Sequence, residues 1–127
     1  MTREMIHTRH APAAVGPYSQ AVKVGSLVFT AGQIGIDPAT GKLQEGLASQ
    51  TKQVLVNLKA VLEAAGSGMA DIVKTTVFLA DMADFATVNG IYGDFFEKTP
   101  PARSTVAVAG LPLGALVEIE AIAQTQN

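Results

Sequence analysis

The chain has 127 residues, of which 48% are hydrophobic and 16% are charged, and its formal net charge is −2. This length predicts one domain, residues 1–127, built on a single hydrophobic core. Cysteine is absent and the basic residues are scattered singly, which excludes disulfides and thiol chemistry and argues against a nucleic-acid-binding surface.

The N-terminal segment MTREMIHTRH is charged and has no apolar core, so it does not look like a secretory signal, and we expect a cytoplasmic protein. No run reaches the roughly 18 apolar residues that a membrane span requires, because glycines and a proline interrupt the longest uncharged run. The histidines, His7 and His10, have no acidic motif at metal-ligand spacing. We interpret them as surface residues and expect no metal site.

A short first strand is predicted near residues 5–8, and a β-hairpin follows it. The strand-like segments AVKVG and LVFTA flank Gly25 and Ser26, and a two-residue turn of this kind suits a hairpin. GKLQEG, residues 41–46, predicts a loop that leads into a helix. GQIG, residues 32–35, is not a dinucleotide fingerprint, and a bend or a close backbone approach explains it better.

Two helices are predicted in the middle of the chain. In the first, apolar residues recur at helical spacing over residues 54–65, and Gly66 and Gly68 end it. The second begins after Asp81, a plausible N-cap, and Pro100 forbids its continuation. One stripe of this second helix carries Phe85, Val88, Asn89, Tyr92, Phe95 and Phe96.

Three further strands complete the predicted fold. IVKTTVFLA (residues 72–80), STVAV (residues 104–108) and LVEIEAIA (residues 116–123) are rich in β-branched or alternating residues. The element order is therefore β-β-β-α-β-α-β-β. Since two helices cover only one face of a six-stranded sheet, we predict an α+β sandwich of two layers.

The sheet face turned away from the helices has an unusual predicted composition. Alternation in the last strand turns Val117, Ile119, Ala121 and Ala123 toward the helices. The opposite face receives Leu116, Glu118, Glu120 and Ile122, with Lys74, Thr76 and Phe78 from the neighbouring segment. This mixture is too apolar for open solvent and too polar for a dry core. We expect another copy of the chain to cover it and to leave polar pockets at the seam.

Arg103, in TPPARSTVAV, is the first candidate for a binding site. Pro100 and Pro101 stiffen the chain before it. A guanidinium held in this way matches a carboxylate with two parallel hydrogen bonds. The alternative is a strand-end arginine that lies in water or pairs with a neighbouring subunit.

Glu118 and Glu120 form the second candidate, since residues two apart in a strand share one face about 6–7 Å apart. Either they belong to a solvated face, or partial burial raises a glutamate pKa that a nearby Arg103 would lower. An ionised glutamate beside a bound carboxylate could orient and deprotonate water. Tyr18 follows a Gly-Pro turn, and for it packing is favoured over a chemical role. Asn89 is explained as readily by a structural hydrogen bond from helix to sheet as by a ligand contact.

Five motifs together resemble a known family. They are APAAVGPYSQAV, FTAGQIG, DIVKTTVFLADMADFATVNGIYGDFF, PPARSTVAVAGLP and VEIEAIA. They are similar, in order and from about His10 to Ala123, to the Rid family of reactive-intermediate deaminases, also called the YjgF family. Arg103 matches the signature arginine of the RidA branch.

The resemblance implies a chorismate-mutase-like α+β fold with a mixed sheet, assembled as a homotrimer with sites in clefts between subunits. It also implies cofactor-independent hydrolysis of 2-imino acids, tautomers of enamines such as 2-aminoacrylate, to 2-oxo acids and ammonia. Arg103 would bind the substrate carboxylate, with help from the backbone amides of Thr105 and Gly32. Glu118 would position the attacking water, and Tyr18 and Asn89 would line the pocket.

The chain departs from the family at two positions of the expected site. Ala31 stands where close relatives often have serine, and Thr105 stands where many have cysteine. The substitutions remove a hydroxyl and a thiol but leave the expected carboxylate clamp in place. They bear on rate and on substrate preference.

Two other functions compete with imine hydrolysis. RNA cleavage or translation inhibition is attributed to some relatives, although the acidic balance and the lack of basic clusters argue against it and we expect no nucleic-acid partner. A non-catalytic module that binds small carboxylates, or client proteins in a chaperone-like way, would use Arg103 but would not need Glu118.

Overall fold

The fold is described by a computed structural model covering residues 2–96 and 98–126. Its strands are β1 (Arg3–Ile6), β2 (Ala21–Val24), β3 (Leu27–Thr30), β4 (Ile36–Asp37), β5 (Lys42–Leu43), β6 (Ile72–Leu79), β7 (Ala102–Ala107) and β8 (Val117–Gln124). The helices are α1 (Leu47–Ala64) and α2 (Phe85–Gly93), and short 3-10 turns occupy Met69–Asp71, Met82–Asp84 and Pro112–Gly114.

Six strands form one mixed sheet in the order β1-β2-β3-β8-β6-β7. Only the β6–β7 pair is parallel, and α2 provides the crossover between these two strands. The other neighbours pair antiparallel. The predicted six-stranded sheet with two helices is confirmed, and so is the hairpin, in which Val24 faces Leu27 across the turn. β7 is left at one edge of the sheet.

The predicted loop at residues 41–46 is wrong in part. Lys42 and Leu43 form β5, which pairs antiparallel with β4 as a separate two-stranded ribbon. Two residues on each side are too few for a period-two pattern to stand out in the sequence. The ribbon extends the chain between β3 and α1 and packs against the helix.

The core lies between the two helices and one face of the sheet. In β8 the burial alternates residue by residue, which confirms the predicted assignment of faces. The fully buried side chains include Leu55, Leu58 and Leu62 of α1 and Val117 and Ile119 of β8. Each such aliphatic side chain stabilises the fold by about 1.5–3 kcal/mol through burial.

Buried amides of α1 hold the segment between β3 and α1 in place. Asn57 Nδ2 donates to the carbonyl oxygens of Ile34 (3.2 Å) and Ile36 (2.9 Å). Gln50 donates to the carbonyl of Gln44 (3.0 Å) and accepts from the Leu116 amide (2.8 Å). Because buried polar groups need partners, these bonds define where the chain runs just before and just after the residues of the candidate site.

The second helix is shorter than its apolar stripe suggested. Asp81 acts as the predicted cap, since its Oδ1 accepts from the Ala83 amide at 2.9 Å, but it caps the 3-10 turn that precedes α2. α2 ends at Gly93, and Phe95 and Phe96 follow in turns. Their assignment to the helix is therefore wrong, although both still pack against the core. No helix in the described ranges is long and apolar enough to cross a membrane.

Gly35 should tolerate no side chain, because an added Cβ would lie 2.7 Å from Gln50 Cα and 2.8 Å from its carbonyl oxygen. These are backbone atoms of α1 and cannot rotate away. We expect Gly35→Ala to lose about 1–3 kcal/mol of unfolding free energy. The control Gly90→Ala, in open space on α2, should gain about 0.5–1 kcal/mol. Urea denaturation at one protein concentration measures both, and a Gly35→Ala protein as stable as the wild type would contradict the packing.

Candidate active site

Arg103 is held by two aromatic rings of α2. Its guanidinium carbon lies 4.9 Å from the centroid of the Tyr92 ring and 5.5 Å from that of Phe85. A cation over a ring face is attracted by the ring quadrupole. The two rings restrain the side chain, and a guanidinium carries five N–H donors in a fixed fork that matches a carboxylate.

The backbone around Arg103 also offers hydrogen-bond donors. The Val108 amide donates to the Leu79 carbonyl at 2.9 Å, and in a parallel ladder every second residue bonds to the neighbouring strand. Counting back from Val108 in steps of two, the backbone amides of Val106 and Ser104 also point to β6. The backbone amides of Arg103 and Thr105 therefore point to the free edge of the sheet. The predicted Thr105 amide is thus placed where a ligand can reach it.

The Thr105 side chain has an unexpected environment. Its hydroxyl oxygen is buried, with no hydrogen-bond partner among the residues that the structure describes. A buried hydroxyl without a partner costs about 1–3 kcal/mol, whereas a thiol is a weak donor and loses less. Thr105 therefore places a polar atom where the surroundings suit a less polar one.

Asn89 lies on the face of α2 that carries the two rings in contact with Arg103. It follows Phe85 by one turn and precedes Tyr92 by about one turn. Its side chain is half buried. We call Phe85, Asn89, Tyr92, Arg103 and Thr105 the arginine cluster. The sequence predicts Arg103, Asn89 and Thr105 as site residues, whereas both rings follow the pattern of core residues, because a helical apolar stripe does not reveal which members contact a cation.

Glu118 belongs to a second group, on the other face of the sheet. It is partly buried in β8 and lies so close to Gly32 that a Cβ added there would overlap the carboxylate and come within 2.8 Å of its carbon. Gly32 is therefore a position of close approach, as GQIG suggested. Any other residue at 32 would displace the carboxylate.

A local irregularity in the ladder creates this approach. Phe29 pairs with Ile122, and Gln33 exchanges two backbone hydrogen bonds with Ile119 (2.9 and 3.1 Å). Three residues, 30–32, thus face only two of β8, which is a bulge. A bulge leaves its extra residue unpaired and bends the strand, and bulges of this kind re-aim the chain beside functional sites.

Ala31 lies within the bulge and is bonded to Gln20, which follows Tyr18 by two residues. The Ala31 amide donates to the Gln20 carbonyl at 2.9 Å. The buried Gln20 side chain also bonds to the backbone of Thr8 and Pro12, which fixes the preceding loop. Tyr18 projects from this loop with 51% of its surface exposed. We call Tyr18, Ala31, Gly32 and Glu118 the glutamate cluster.

Electrostatics distinguish the ionisable groups of the two clusters. Burial raises the pKa of the Glu118 carboxyl, and the charge of Glu120 raises it further. Burial also raises the pKa of Tyr92, opposed by its hydrogen bond with Thr75 and by the charge of Arg103. Both shifts follow from desolvation, so Glu118 is a stronger base than a solvated glutamate and Tyr92 stays a neutral phenol.

The two clusters do not meet within one chain. Arg103 is in register with Thr75, whose side chain faces the helices, whereas Glu118 is in register with Phe78 on the uncovered face. Arg103 and Glu118 lie two strands apart across the sheet and three residues apart along the strands. Each of these two offsets separates their Cα atoms by about 10 Å. A small carboxylate bound by Arg103 is out of reach of Glu118 in the same chain.

Neither cluster is built like a metal centre. Within residues 2–96 and 98–126, no group of three or more histidine, cysteine, aspartate or glutamate side chains is placed to hold a metal ion. The donors that the clusters offer are a guanidinium, backbone amides, an amide side chain, a phenol and one carboxylate. This set can bind a carboxylate and place a water molecule.

Comparison with known proteins places the chain among relatives of similar length. Residues 8–125 match the family model described as endoribonuclease L-PSP. The chain is 55% identical to the 2-iminobutanoate/2-iminopropanoate deaminase of Salmonella typhimurium, covering 93% of this chain and 94% of that protein. It is 52% identical to the mouse protein of the same name, covering 95% and 90%.

A solved structure also matches nearly the whole chain. RidA from an Antarctic Psychrobacter bacterium superposes with a TM-score of 0.93 at 50% identity, covering 95% of this chain and 98% of that one. Residues 8–125, which the family model matches, include both helices and both clusters.

Glu120→Gln should lower the pKa of Glu118, because it removes the like charge two residues away that helps to raise it. Carboxyl carbon chemical shifts followed against pH measure this titration. Because the pKa of Glu118 is higher in the folded protein than in the unfolded chain, its proton stabilises the fold at pH values below the pKa of the unfolded chain. This stabilisation is lost as the pH rises through the pKa of the folded protein. The variant should therefore lose less stability over that window.

The matched control is Glu63→Gln, which makes the same charge change on an exposed position of α1. It should leave the Glu118 titration unchanged. An unchanged or higher Glu118 pKa in Glu120→Gln would contradict the assigned cause.

Proposed function

We propose that the chain hydrolyses reactive 2-imino acids, because it belongs to the endoribonuclease L-PSP family, the Rid or YjgF family of its sequence motifs. The substrates are enamine and imine acids of the 2-aminoacrylate and 2-iminobutyrate type, which pyridoxal-phosphate enzymes release. Water adds to the C=N carbon, the C–N bond breaks, and the products are a 2-oxo acid and ammonia. The chain acts as a hydrolase that detoxifies these intermediates.

The named relatives support deamination over the other functions. Proteins that are 52–55% identical over nearly the whole chain carry the name 2-iminobutanoate/2-iminopropanoate deaminase. RNA cleavage is not favoured, since the chain has a net charge of −2 and its basic residues are not clustered. The cytoplasm is the proposed place of action.

The observation that carries the proposal is the restrained arginine. The Arg103 guanidinium lies over the Tyr92 and Phe85 rings, and its donors would bind a carboxylate as a two-bond fork. The outward-facing Thr105 amide lies on the same strand edge. Substrates of this class share a carboxylate next to the reacting carbon, so a clamp on the carboxylate also positions the C=N bond.

We place the complete site between two copies of the chain in a homotrimer. The arginine cluster of one copy would face the glutamate cluster of the next, because the two lie on opposite faces of one sheet. The uncovered face supports an assembly, since it presents Phe29 and Ile122 beside Lys74 and Glu120 around a hollow of about 250 Å³. Such mixed surfaces are typical of interfaces with polar pockets.

Glu118 would orient the attacking water and accept its proton. Burial raises the pKa of Glu118, which makes the ionised carboxylate a better proton acceptor. Activity should therefore fall as the pH drops through this pKa, because the protonated form cannot act as a base. The Gly32 amide, at the bulge beside the carboxylate, would add a hydrogen bond to the substrate.

The remaining site residues shape the pocket. Tyr18 and Asn89 would line it from the two clusters, the first largely exposed and the second half buried on α2. Ala31 contributes no hydroxyl next to Gly32, so proton relay there would depend on water or on Glu118. An imine is already electrophilic, so orientation and a placed water provide much of the required acceleration.

Arg103→Ala should abolish imine hydrolysis, with a fall of at least about 100-fold in kcat/KM, because the substrate carboxylate loses its clamp. The assay follows ammonia release from 2-iminobutyrate generated in situ. The control Arg3→Ala, an exposed arginine on β1, should keep full activity. Sedimentation should show that Arg103→Ala remains a trimer, and ammonia release at the wild-type rate would refute the assignment.

Glu118→Gln separates an enzyme from a module that only binds carboxylates. Its turnover should fall sharply while its affinity for the 2-oxo acid product stays within about threefold of the wild type, because the clamp is intact. Equal turnover in Glu118→Gln and the wild type would remove Glu118 from the mechanism.

A further inference from the structure

We propose that the hydroxyl pair of Thr75 and Tyr92 is a positioning device for the Arg103 guanidinium, an inference that rests on the proposed function. Thr75 in β6 lies directly beside Arg103 in the parallel ladder. Tyr92 in α2 lies beneath the guanidinium. The hydroxyl oxygens of Thr75 and Tyr92 are 2.6 Å apart in the interior. A continuous set of contacts thus runs from the backbone of Arg103 to its own charged end.

The pair is not needed to fill the core. Thr75 is 0% exposed and Tyr92 is 5% exposed, and valine with phenylalanine would occupy nearly the same space. Burying two hydroxyl groups costs desolvation that their hydrogen bond only offsets, so replacing both by apolar groups is close to neutral for stability. The pair therefore contributes something other than stability.

The distinct effect of the hydroxyl pair is to fix the position of the Tyr92 ring. The hydrogen bond holds the far end of the Tyr92 side chain against β6, while Phe96 packs on the ring at 4.6 Å between centroids with a tilt of 39°. A ring held at its tip and on its face cannot slide along the sheet. Because the attraction between a cation and a ring depends on their alignment, a ring held in place holds Arg103 in place.

Tyr92 and Thr75 act through Arg103 and do not touch the substrate. A positioning residue of this kind should affect how well the carboxylate is held more than how fast the bound imine reacts. Losing the hydroxyl pair should therefore raise the dissociation constant of a carboxylate ligand and the KM, with little change in kcat.

The experiment compares Thr75→Val, Tyr92→Phe and the double variant with the wild type. Calorimetric titration with 2-oxobutanoate measures carboxylate binding, and thermal unfolding measures stability. We expect the dissociation constant and the KM for 2-iminobutyrate to rise about three- to tenfold in all three variants, with kcat within about twofold. Each single variant should melt below the wild type because it leaves one hydroxyl without a partner, and the double variant should melt close to it.

Stability and binding thus separate in the double variant, which a purely structural role would not allow. If the double variant regains wild-type affinity together with its melting temperature, or if all three variants bind as the wild type does, the inference is overturned. The control is Thr51→Val, which removes a buried hydroxyl bonded to the Leu47 carbonyl at 2.8 Å in α1. It should lose stability without losing affinity, and a matching loss of affinity would also overturn the inference.

The outcomes distinguish this inference from the proposed function. If the variants bind 2-oxobutanoate more weakly, as expected, but the wild type releases no ammonia from 2-iminobutyrate, the proposed reaction fails and the positioning role of the pair stands. If the wild type hydrolyses the imine and the three variants share its KM, only the positioning role fails.

Discussion

The alternation of side chains across the sheet governs the organisation of the site. β7 and β8 lie on either side of β6, and their registers place Arg103 on the helix-covered face and Glu118 on the other. No rotamer change carries either side chain through the sheet. If one substrate needs both residues, two copies of the chain have to supply them. The apolar and charged mixture of the uncovered face is the surface that we propose brings the copies together.

Each cluster depends on a local feature that the rest of the fold supports. α2 presents two rings to Arg103, and the crossover from β6 through α2 to β7 brings helix and strand together. The bulge at residues 30–32 and the missing side chain of Gly32 admit the Glu118 carboxylate. Buried amides of α1 and Gln20 hold the flanking segments. Rigid support of this kind is what a site that works by orientation requires.

Much of the strand and helix arrangement was predictable because period-two and period-3.6 patterns follow directly from strand and helix geometry. The alternation in β8 was predicted in this way, and the hairpin was predicted from its two-residue turn at Gly25 and Ser26. The β4–β5 ribbon was missed because two-residue strands have no pattern. The contacts of Tyr92 could not be predicted because its spacing is that of a core residue. Only the fold shows that its hydroxyl bonds with that of Thr75 and that its ring contacts Arg103. The buried Thr105 hydroxyl likewise depends on neighbours distant in sequence.

The most direct test of a shared site is to mix two inactive variants. Arg103→Ala and Glu118→Gln proteins, unfolded together and refolded in equal amounts, form mixed oligomers. If each site takes Arg103 from one copy and Glu118 from the next, about a quarter of the sites are intact and about a quarter of the wild-type activity returns. If mass spectrometry shows mixed oligomers but ammonia release stays at the level of the separate variants, the two residues do not act across copies and the account is wrong.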